Sequence, residues 1–112
     1  MSSTLSVIIP AYNEGPTIHL ILDRIKDVRL DGGLQMEIIV VNDCSTDNTE
    51  DSLKKYVAAH PEMNIRYLKH QVNRGKGAAL HTGIGEATGE GRAEVGKEKP
   101  FDLVFHGGSG ST

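Results

Sequence analysis

The sequence predicts an α/β fold built on a mostly parallel sheet, and three observations support this prediction. Short apolar runs alternate with segments in which apolar residues recur at helical spacing. Each apolar run ends in a polar loop, and each loop leads into the next helical segment. The resulting order β-α-β-α-β-α favours right-handed crossovers and a sheet covered by helices on both faces, in three layers.

The first strand is predicted over residues 5–9, where Ser6 is the one polar residue, as expected for a strand that helices cover on both faces. Gly15 and Pro16 are predicted to begin the first helix, because proline is tolerated in a first turn. Asp31-Gly32-Gly33 ends this helix. Its apolar stripe consists of Ile18, Ile21, Leu22, Ile25 and Val28.

A second strand is predicted over about residues 36–41, and a second helix follows it. Asp47, with Glu50 three residues later, fits an acidic N-cap and a capping box. His60-Pro61 ends the helix, because a residue before proline is pushed away from helical dihedrals. The stripe of this helix consists of Leu53, Tyr56 and Val57.

The third strand is predicted over residues 65–68, and Gly75-Lys76-Gly77 leads into a third helix whose apolar face continues to Ala87. After Thr88 the composition changes. Residues 89–100 are glycine-rich and charged without an apolar period, which is typical of a linker or a disordered segment. The apolar run 101–105 then predicts a loosely placed last strand. If that strand does not join the sheet, an open edge favours self-association.

Bulk properties exclude several classes of protein. A chain of 112 residues forms one domain at most, and a net charge of −3 with scattered basic residues argues against a nucleic-acid partner. The single cysteine, Cys44, excludes an internal disulfide, and no apolar run approaches the ~20 residues that span a bilayer. With no signal-peptide pattern either, the chain is predicted to lie in the cytoplasm, a peripheral position at the inner membrane face being left open.

Three polar features are expected to meet at the carboxyl edge of the sheet, where ligands bind in open α/β folds. Tyr12 offers a flat face, and Asp43 can accept two hydrogen bonds from a nucleobase or a ribose. Arg74 and Lys76 can neutralise a diphosphate, and the glycines beside Lys76 allow backbone N–H groups to approach it. Together these residues predict a nucleotide-diphosphate pocket.

Three motifs follow one another along the chain: Val7-Ile8-Ile9-Pro10-Ala11-Tyr12-Asn13-Glu14, Val40-Val41-Asn42-Asp43-Cys44-Ser45-Thr46-Asp47-Asn48-Thr49 and Asn73-Arg74-Gly75-Lys76-Gly77-Ala78-Ala79. In this order they strongly resemble family 2 glycosyltransferases of the GT-A (Rossmann-like) fold, and within them the polyprenyl-phosphate mannosyl- and glucosyltransferases. The resemblance covers about residues 4–90.

The resemblance implies a GDP-mannose or UDP-glucose class donor, a polyprenyl-phosphate acceptor and Mg²⁺ or Mn²⁺. Asp43 would hold the base, and Arg74 with Lys76 would face the nucleotide side of the donor. Residues 1–90 would form the donor-binding half of the domain. The base and ribose pocket would be lined by Pro10, Ala11, Tyr12 and Glu14.

The metal-binding Asp-x-Asp motif of that family is missing from this chain. Residues 91–112 are therefore interpreted as a linker and a foreign tail, no catalytic residue is assigned, and the chain alone is expected to be inactive. A non-catalytic nucleotide-binding module or chimeric remnant is the alternative. An NAD-binding protein ranks third, because the first loop lacks Gly-x-Gly-x-x-Gly.

The tail, residues 99–111, resembles a strand end of class II fructose-bisphosphate aldolases. By that likeness His106 would be a zinc ligand, and Gly107 and Ser109 would contact phosphate. One histidine cannot make a zinc site, which takes three or four protein ligands, so His106 is a weak candidate. A completed strand would place it near the predicted pocket.

Simpler interpretations remain open for the individual motifs. Asp43 alone fits a strand-end turn or a cap residue, and Gly75-Lys76-Gly77 alone fits the entry of a helix. The Gly75-Lys76-Gly77 segment is not a phosphate-binding Walker A loop, because the spacing and the Lys-Ser/Thr ending of that motif are absent. Cys44 is interpreted as a small filler.

Overall fold

A computed structural model describes residues 4–27, 35–89, 91–95 and 103–106 of the chain. Within these ranges the chain forms five strands and three helices. In chain order they are β1 (Thr4–Ala11), α1 (Ile18–Lys26), β2 (Gln35–Asn42), α2 (Thr49–Ala59), β3 (Ile65–Lys69), α3 (Lys76–Glu86), β4 (Gly91–Val95) and β5 (Leu103–His106).

The strands form one sheet in the order β3-β2-β1-β4-β5. The first four are mutually parallel, and β5 pairs antiparallel to β4. Val7 at the centre of β1 lies opposite Ile38 of β2 on one side and Ala93 of β4 on the other. The predicted α/β fold with a mostly parallel sheet is therefore confirmed.

Apolar residues are buried on both faces of the central strands. Alternate residues of β2 point to opposite sides, so Val40 packs with α1 and α2 while Ile39 packs with α3. Ile18 and Leu53 bring the two helices of the first face into one core. On the second face Gly83 of α3 lies so close to Ile8 that an added Cβ would come within 2.6 Å of its side chain. The predicted three-layer packing follows from this arrangement.

Two helix starts differ from the sequence prediction. Helix α1 begins at Ile18 rather than at Gly15, because the Glu14 carbonyl accepts the Ile18 amide at 2.7 Å and closes a separate turn first. Helix α2 has Asn48, not Asp47, at its N-cap position, with no side-chain capping bond. Asp47 instead accepts the Thr49 amide at 2.9 Å from outside the helix. Val28 and residues 31–33 lie outside the described residues.

Residues 91–95, predicted as part of a linker, form strand β4 instead. The prediction was wrong because this segment has few apolar side chains, whereas its placement depends on backbone pairing with β1. Ala93, fully buried, fits beside Val7 because it is small. Residues 96–102 are outside the described range.

Strand β5 lies at the edge of the sheet and runs opposite to the other strands. His106 pairs with Arg92, which in turn pairs with Ser6 near the start of β1. The expectation that His106 lies near the predicted pocket is therefore wrong, because an antiparallel strand ends at the amino edge of its parallel neighbours. Gly107 and Ser109 are not among the described residues.

A buried carboxylate joins three segments at the amino edge of the sheet. Glu37 Oε1 accepts hydrogen bonds from Ser6 Oγ at 2.8 Å and from the Thr88 amide at 3.0 Å. Arg66 lies 3.5 Å from the other carboxylate oxygen. Ser6 Oγ also accepts the Gly89 amide at 2.9 Å. These contacts hold the chain between α3 and β4 against the sheet.

Within the described residues no helix is long and apolar enough to cross a bilayer.

Candidate functional site

Asp43 lies just beyond the carboxyl end of β2 and connects it to the segment before α3. Its Oδ1 accepts hydrogen bonds from His70 Nδ1 at 2.8 Å and from the Arg74 amide at 2.9 Å. Its Oδ2 accepts the Gly75 amide at 2.8 Å. These contacts agree with the interpretation of Asp43 as a strand-end turn residue.

The electrostatics of Asp43 favour an ionised acceptor. The residue is 3% exposed, and burial by itself would raise its pKa. The hydrogen bonds from the Arg74 amide, the His70 ring and the Gly75 amide outweigh burial, so the pKa of Asp43 lies below its ordinary value. At neutral pH the carboxylate is a fixed negative acceptor.

An open recess borders this carboxylate. Its walls come from the end of β1, the loop after it, and the first turn of α3. Most of the predicted site residues line this recess, together with Ala79, which was not predicted. The lining residues are Pro10, Ala11, Tyr12, Asp43, Lys76 and Ala79. Tyr12 is 42% exposed, which leaves its ring accessible to a planar ligand.

Glu14 and Arg74, also predicted for the site, are not part of this lining. The Glu14 carboxylate accepts the Thr17 hydroxyl at 2.5 Å, and its amide donates to Thr49. Arg74 is exposed, and its backbone amide rather than its guanidinium contacts Asp43. Within the described part of the chain, the side chains of Arg74 and Lys76 enter no ion pair.

Asn13 holds the two loops of the site together, a role that the sequence analysis missed. Its backbone has a φ of 55°, in the left-handed region that asparagine tolerates. Its Oδ1 accepts the Thr46 amide at 2.8 Å, and its own amide donates to Ser45 Oγ at 2.9 Å. Gly15 completes the contact, since a Cβ there would come within 1.9 Å of Asn48 Oδ1. The loop carrying Tyr12 is therefore bound to the loop after β2.

His70 is the second residue that the sequence analysis missed. It is 7% exposed, and its ring bridges Asp43 and Thr82, with Nε2 2.8 Å from Thr82 Oγ1. One signal was present in the sequence. His70 directly follows β3 just as Asp43 directly follows β2, and ends of neighbouring parallel strands lie side by side.

The residues of the recess do not fit a divalent cation. Hard cations on diphosphates bind to one or two carboxylates, and Asp43 is the one acidic residue in the lining. Both of its oxygens already accept hydrogen bonds from the chain. Within the described residues no group of three or more His, Cys, Asp or Glu side chains is placed to hold a metal.

Comparison with known proteins identifies the family. The model of the family described as Glycosyl transferase family 2 matches residues 6–92. The dolichyl-phosphate beta-glucosyltransferase of Dictyostelium discoideum is 42% identical over 85 residues, which cover 71% of this chain and 26% of that protein. The human protein of the same name is 34% identical over 91 residues, covering 77% and 28%. The chain thus spans about a quarter of the length of these relatives.

Solved structures of glycosyltransferases have the same fold. A mannosyltransferase from Pyrobaculum calidifontis, in complex with GDP-Man and Mn²⁺, superposes with a TM-score of 0.73 at 34% identity, covering 83% of this chain and 27% of that one. The Staphylococcus aureus protein TarS in complex with UDP gives 0.72 at 29% identity, covering 82% and 26%. The predicted GT-A architecture is confirmed as a partial domain. The chain therefore belongs to glycosyl transferase family 2.

Proposed function

We propose that this chain is the donor-nucleotide-binding half of a glycosyltransferase that uses a GDP-mannose or UDP-glucose class donor and a polyprenyl-phosphate acceptor. Residues 1–90 form this half, and β4 extends its sheet. Because the acceptor is a lipid, we place the chain in the cytoplasm, at a membrane face where such lipids lie.

The ionised Asp43 carboxylate at the recess carries this proposal. One acceptor position of Oδ2 remains beside the Gly75 amide in the described part of the chain, and a base N–H fits it. The exposed ring of Tyr12 offers a stacking face. Lys76 lies on the opposite wall, at the start of α3, where an anion is favoured. We assign Pro10 and Ala11 to the base side, and Glu14 and Arg74 to the rim.

Binding of the nucleotide is tested by titrating the chain with GDP and UDP, by NMR or calorimetry. We expect dissociation constants from high micromolar to millimolar, about 4–6 kcal/mol of binding free energy. Asp43→Ala is expected to lose roughly 1.5–3 kcal/mol of it, as for a hydrogen bond to a charged acceptor.

Asp51→Ala is the matched control, because Asp51 is an exposed carboxylate in the first turn of α2 and is not among the lining residues of the recess. Unfolding curves of each variant separate lost binding from lost folding. If folded Asp43→Ala binds GDP and UDP as tightly as the parent and the control, Asp43 does not contact the base.

A second candidate function is a nucleotide-binding module without catalysis. The composition of the recess favours it, because Asp43 is the one carboxylate in the lining and is already hydrogen-bonded. Without further carboxylates, the described residues of the recess offer no place for a metal ion that would stabilise a departing nucleoside diphosphate.

The two candidates are separated by an assay for sugar transfer. Radiolabelled GDP-mannose or UDP-glucose is incubated with the chain, polyprenyl phosphate, and Mg²⁺ or Mn²⁺. We expect no product above a heat-killed control, because this chain lacks Asp-x-Asp. Turnover above that control contradicts the view that the chain is catalytically incomplete.

A further inference from the structure

The ring of His70 lies between the candidate nucleotide site and helix α3. On one side Nδ1 is 2.8 Å from Asp43 Oδ1, and on the other Nε2 is 2.8 Å from Thr82 Oγ1. The His70 amide also donates to the Asn42 carbonyl at 2.8 Å, so β2 holds the backbone of this residue. Both the backbone and the ring of His70 are therefore held in place.

The partners of the ring determine which nitrogen carries the proton. An ionised carboxylate can only accept, so Nδ1 must donate to Asp43. In a neutral imidazole the other nitrogen is then an acceptor, and the hydroxyl of Thr82 must donate to it. A hydroxyl rotates freely and can meet this demand. Asp43 thus selects the Nδ1–H tautomer, and Thr82, in the second turn of α3, supplies the donor that this tautomer needs at Nε2.

We propose that His70 and Thr82 are positioning residues for Asp43: the Thr82 hydroxyl holds the His70 ring in its Nδ1–H form, and the ring orients the carboxylate so that Oδ2 faces the recess. This inference rests on the proposed nucleotide-binding function and extends it to two residues outside the lining. Without the bond from His70, the carboxylate keeps the Arg74 amide on Oδ1 and the Gly75 amide on Oδ2, so it loses one of the three contacts that orient it in the described part of the chain.

The state of the ring can be measured in the parent chain without any substitution. Long-range ¹H–¹⁵N NMR spectra distinguish the two neutral tautomers and the charged ring. At neutral pH we expect the Nδ1–H form for His70. A ring that carries its proton on Nε2, or is charged, overturns the proposal.

Substitutions then link the tautomer to binding. Thr82→Val removes the hydroxyl donor but keeps the shape of the side chain. We expect His70 in this variant to lose the pure Nδ1–H form. We also expect GDP and UDP to bind about 3- to 10-fold more weakly, which is the range of one neutral hydrogen bond. Thr82→Ser keeps the hydroxyl and is expected to retain both the Nδ1–H form of His70 and the affinity for GDP and UDP. His81→Ala is the matched control, because His81 precedes Thr82 on α3 and is exposed. Equal affinity and an unchanged ring in Thr82→Val overturn the proposal.

A double substitution excludes a merely structural effect of Thr82. The side-chain amide of His70→Asn can donate to Asp43 from about the position of Nδ1 but cannot reach Thr82. In that background we expect Thr82→Val to cause no further loss of affinity. An additional loss of the same size as in the parent shows that Thr82 acts by another route and overturns the proposal.

Failure of the proposed function is distinguishable from failure of this inference. If the parent chain binds neither GDP nor UDP at millimolar concentration, the proposed function is wrong. The carboxyl signal of Asp43 then decides the positioning role by NMR titration. A pKa of Asp43 that rises in Thr82→Val supports the inference, because the bond from His70 is one of the contacts that lower it. An unchanged pKa overturns it.

Discussion

Strand β2 carries a buried carboxylate near each end, and the two behave differently. Glu37, 5% exposed, lies at the amino edge, and Asp43, 3% exposed, lies at the carboxyl edge. Both accept hydrogen bonds from backbone amides and side chains, and the pKa of each lies below its ordinary value. By burial and titration alone the two carboxylates look alike.

Their surroundings separate a structural carboxylate from a candidate binding one. Glu37 is enclosed by the side chains of Ser6, Thr88 and Arg66, so a cation of the chain itself balances its charge. Asp43 instead borders an open recess whose cation, Lys76, is exposed. A lowered pKa therefore indicates a candidate binding site here only together with an open recess and a lysine that enters no ion pair within the described residues.

Glu37→Ala is expected to have the largest effect and to test the structural half of this comparison. The substitution leaves the donors of Ser6 and Thr88 unpaired, so we expect the free energy of unfolding to fall by about 3 kcal/mol in urea titrations. Nucleotide affinity of the folded protein should not change.

Glu86→Ala is the matched control for that variant. Glu86 contacts the same Arg66, at 2.8 Å, but is half exposed, so its loss should cost at most about 0.5 kcal/mol. If Glu37→Ala is no less stable than Glu86→Ala, the amino-edge cluster does not hold the sheet together.

Acid should destabilise the chain through both carboxylates. Hydrogen bonds in the folded state lower the pKa of both carboxylates below their ordinary values, 4.5 for Glu37 and 3.8 for Asp43. The stability that each carboxylate contributes is therefore fully present above its ordinary pKa. It is lost as the pH falls through the lower pKa of the folded state. Each contributes a slope of up to about 1.4 kcal/mol per pH unit. Urea unfolding from neutral pH to about pH 3 measures this slope. A Glu37→Gln variant with the same slope as the parent contradicts the contribution of Glu37.

Gly77→Ala should have the smallest effect on stability and test the binding half of the comparison. A Cβ at Gly77, in the first turn of α3, meets nothing within 4 Å, so alanine should raise the free energy of unfolding by about 0.5–1 kcal/mol. GDP and UDP should nevertheless bind more weakly if their diphosphate approaches the backbone beside Lys76.

Gly85→Ala controls for the helix effect, because Gly85 lies in the last turn of α3 with equally open space around it. It should gain similar stability with unchanged affinity. Equal affinity in both variants indicates that the diphosphate does not approach the start of α3.

Self-association stays a prediction that light scattering can test.

The sequence predicted the part of the site that depends on strand ends. Pro10, Ala11, Tyr12, Asp43 and Lys76 each follow an apolar strand or begin a helix, and the structure brings them together around one recess.

The supporting residues were not predicted, because nothing in their local sequence distinguishes them. Asn13, His70 and Thr82 act through partners at least 12 residues away along the chain. Such contacts arise only when the strand ends lie side by side, so no local pattern indicates them.

By itself the sequence determined the three helices, the first three strands and their parallel order, because apolar periodicity is a local property of each segment. The apolar run 101–105 also predicted a last strand, whereas tertiary structure alone decided that β4 forms and in which direction β5 runs. β4 has little apolar surface of its own, and it joins the sheet beside β1 where Ser6 binds Gly89, 83 residues later. The direction of β5, and with it the position of His106 far from the recess, depends on pairing with β4. Backbone hydrogen bonds to a neighbouring strand are nearly independent of side chain, so the sequence carries little record of them.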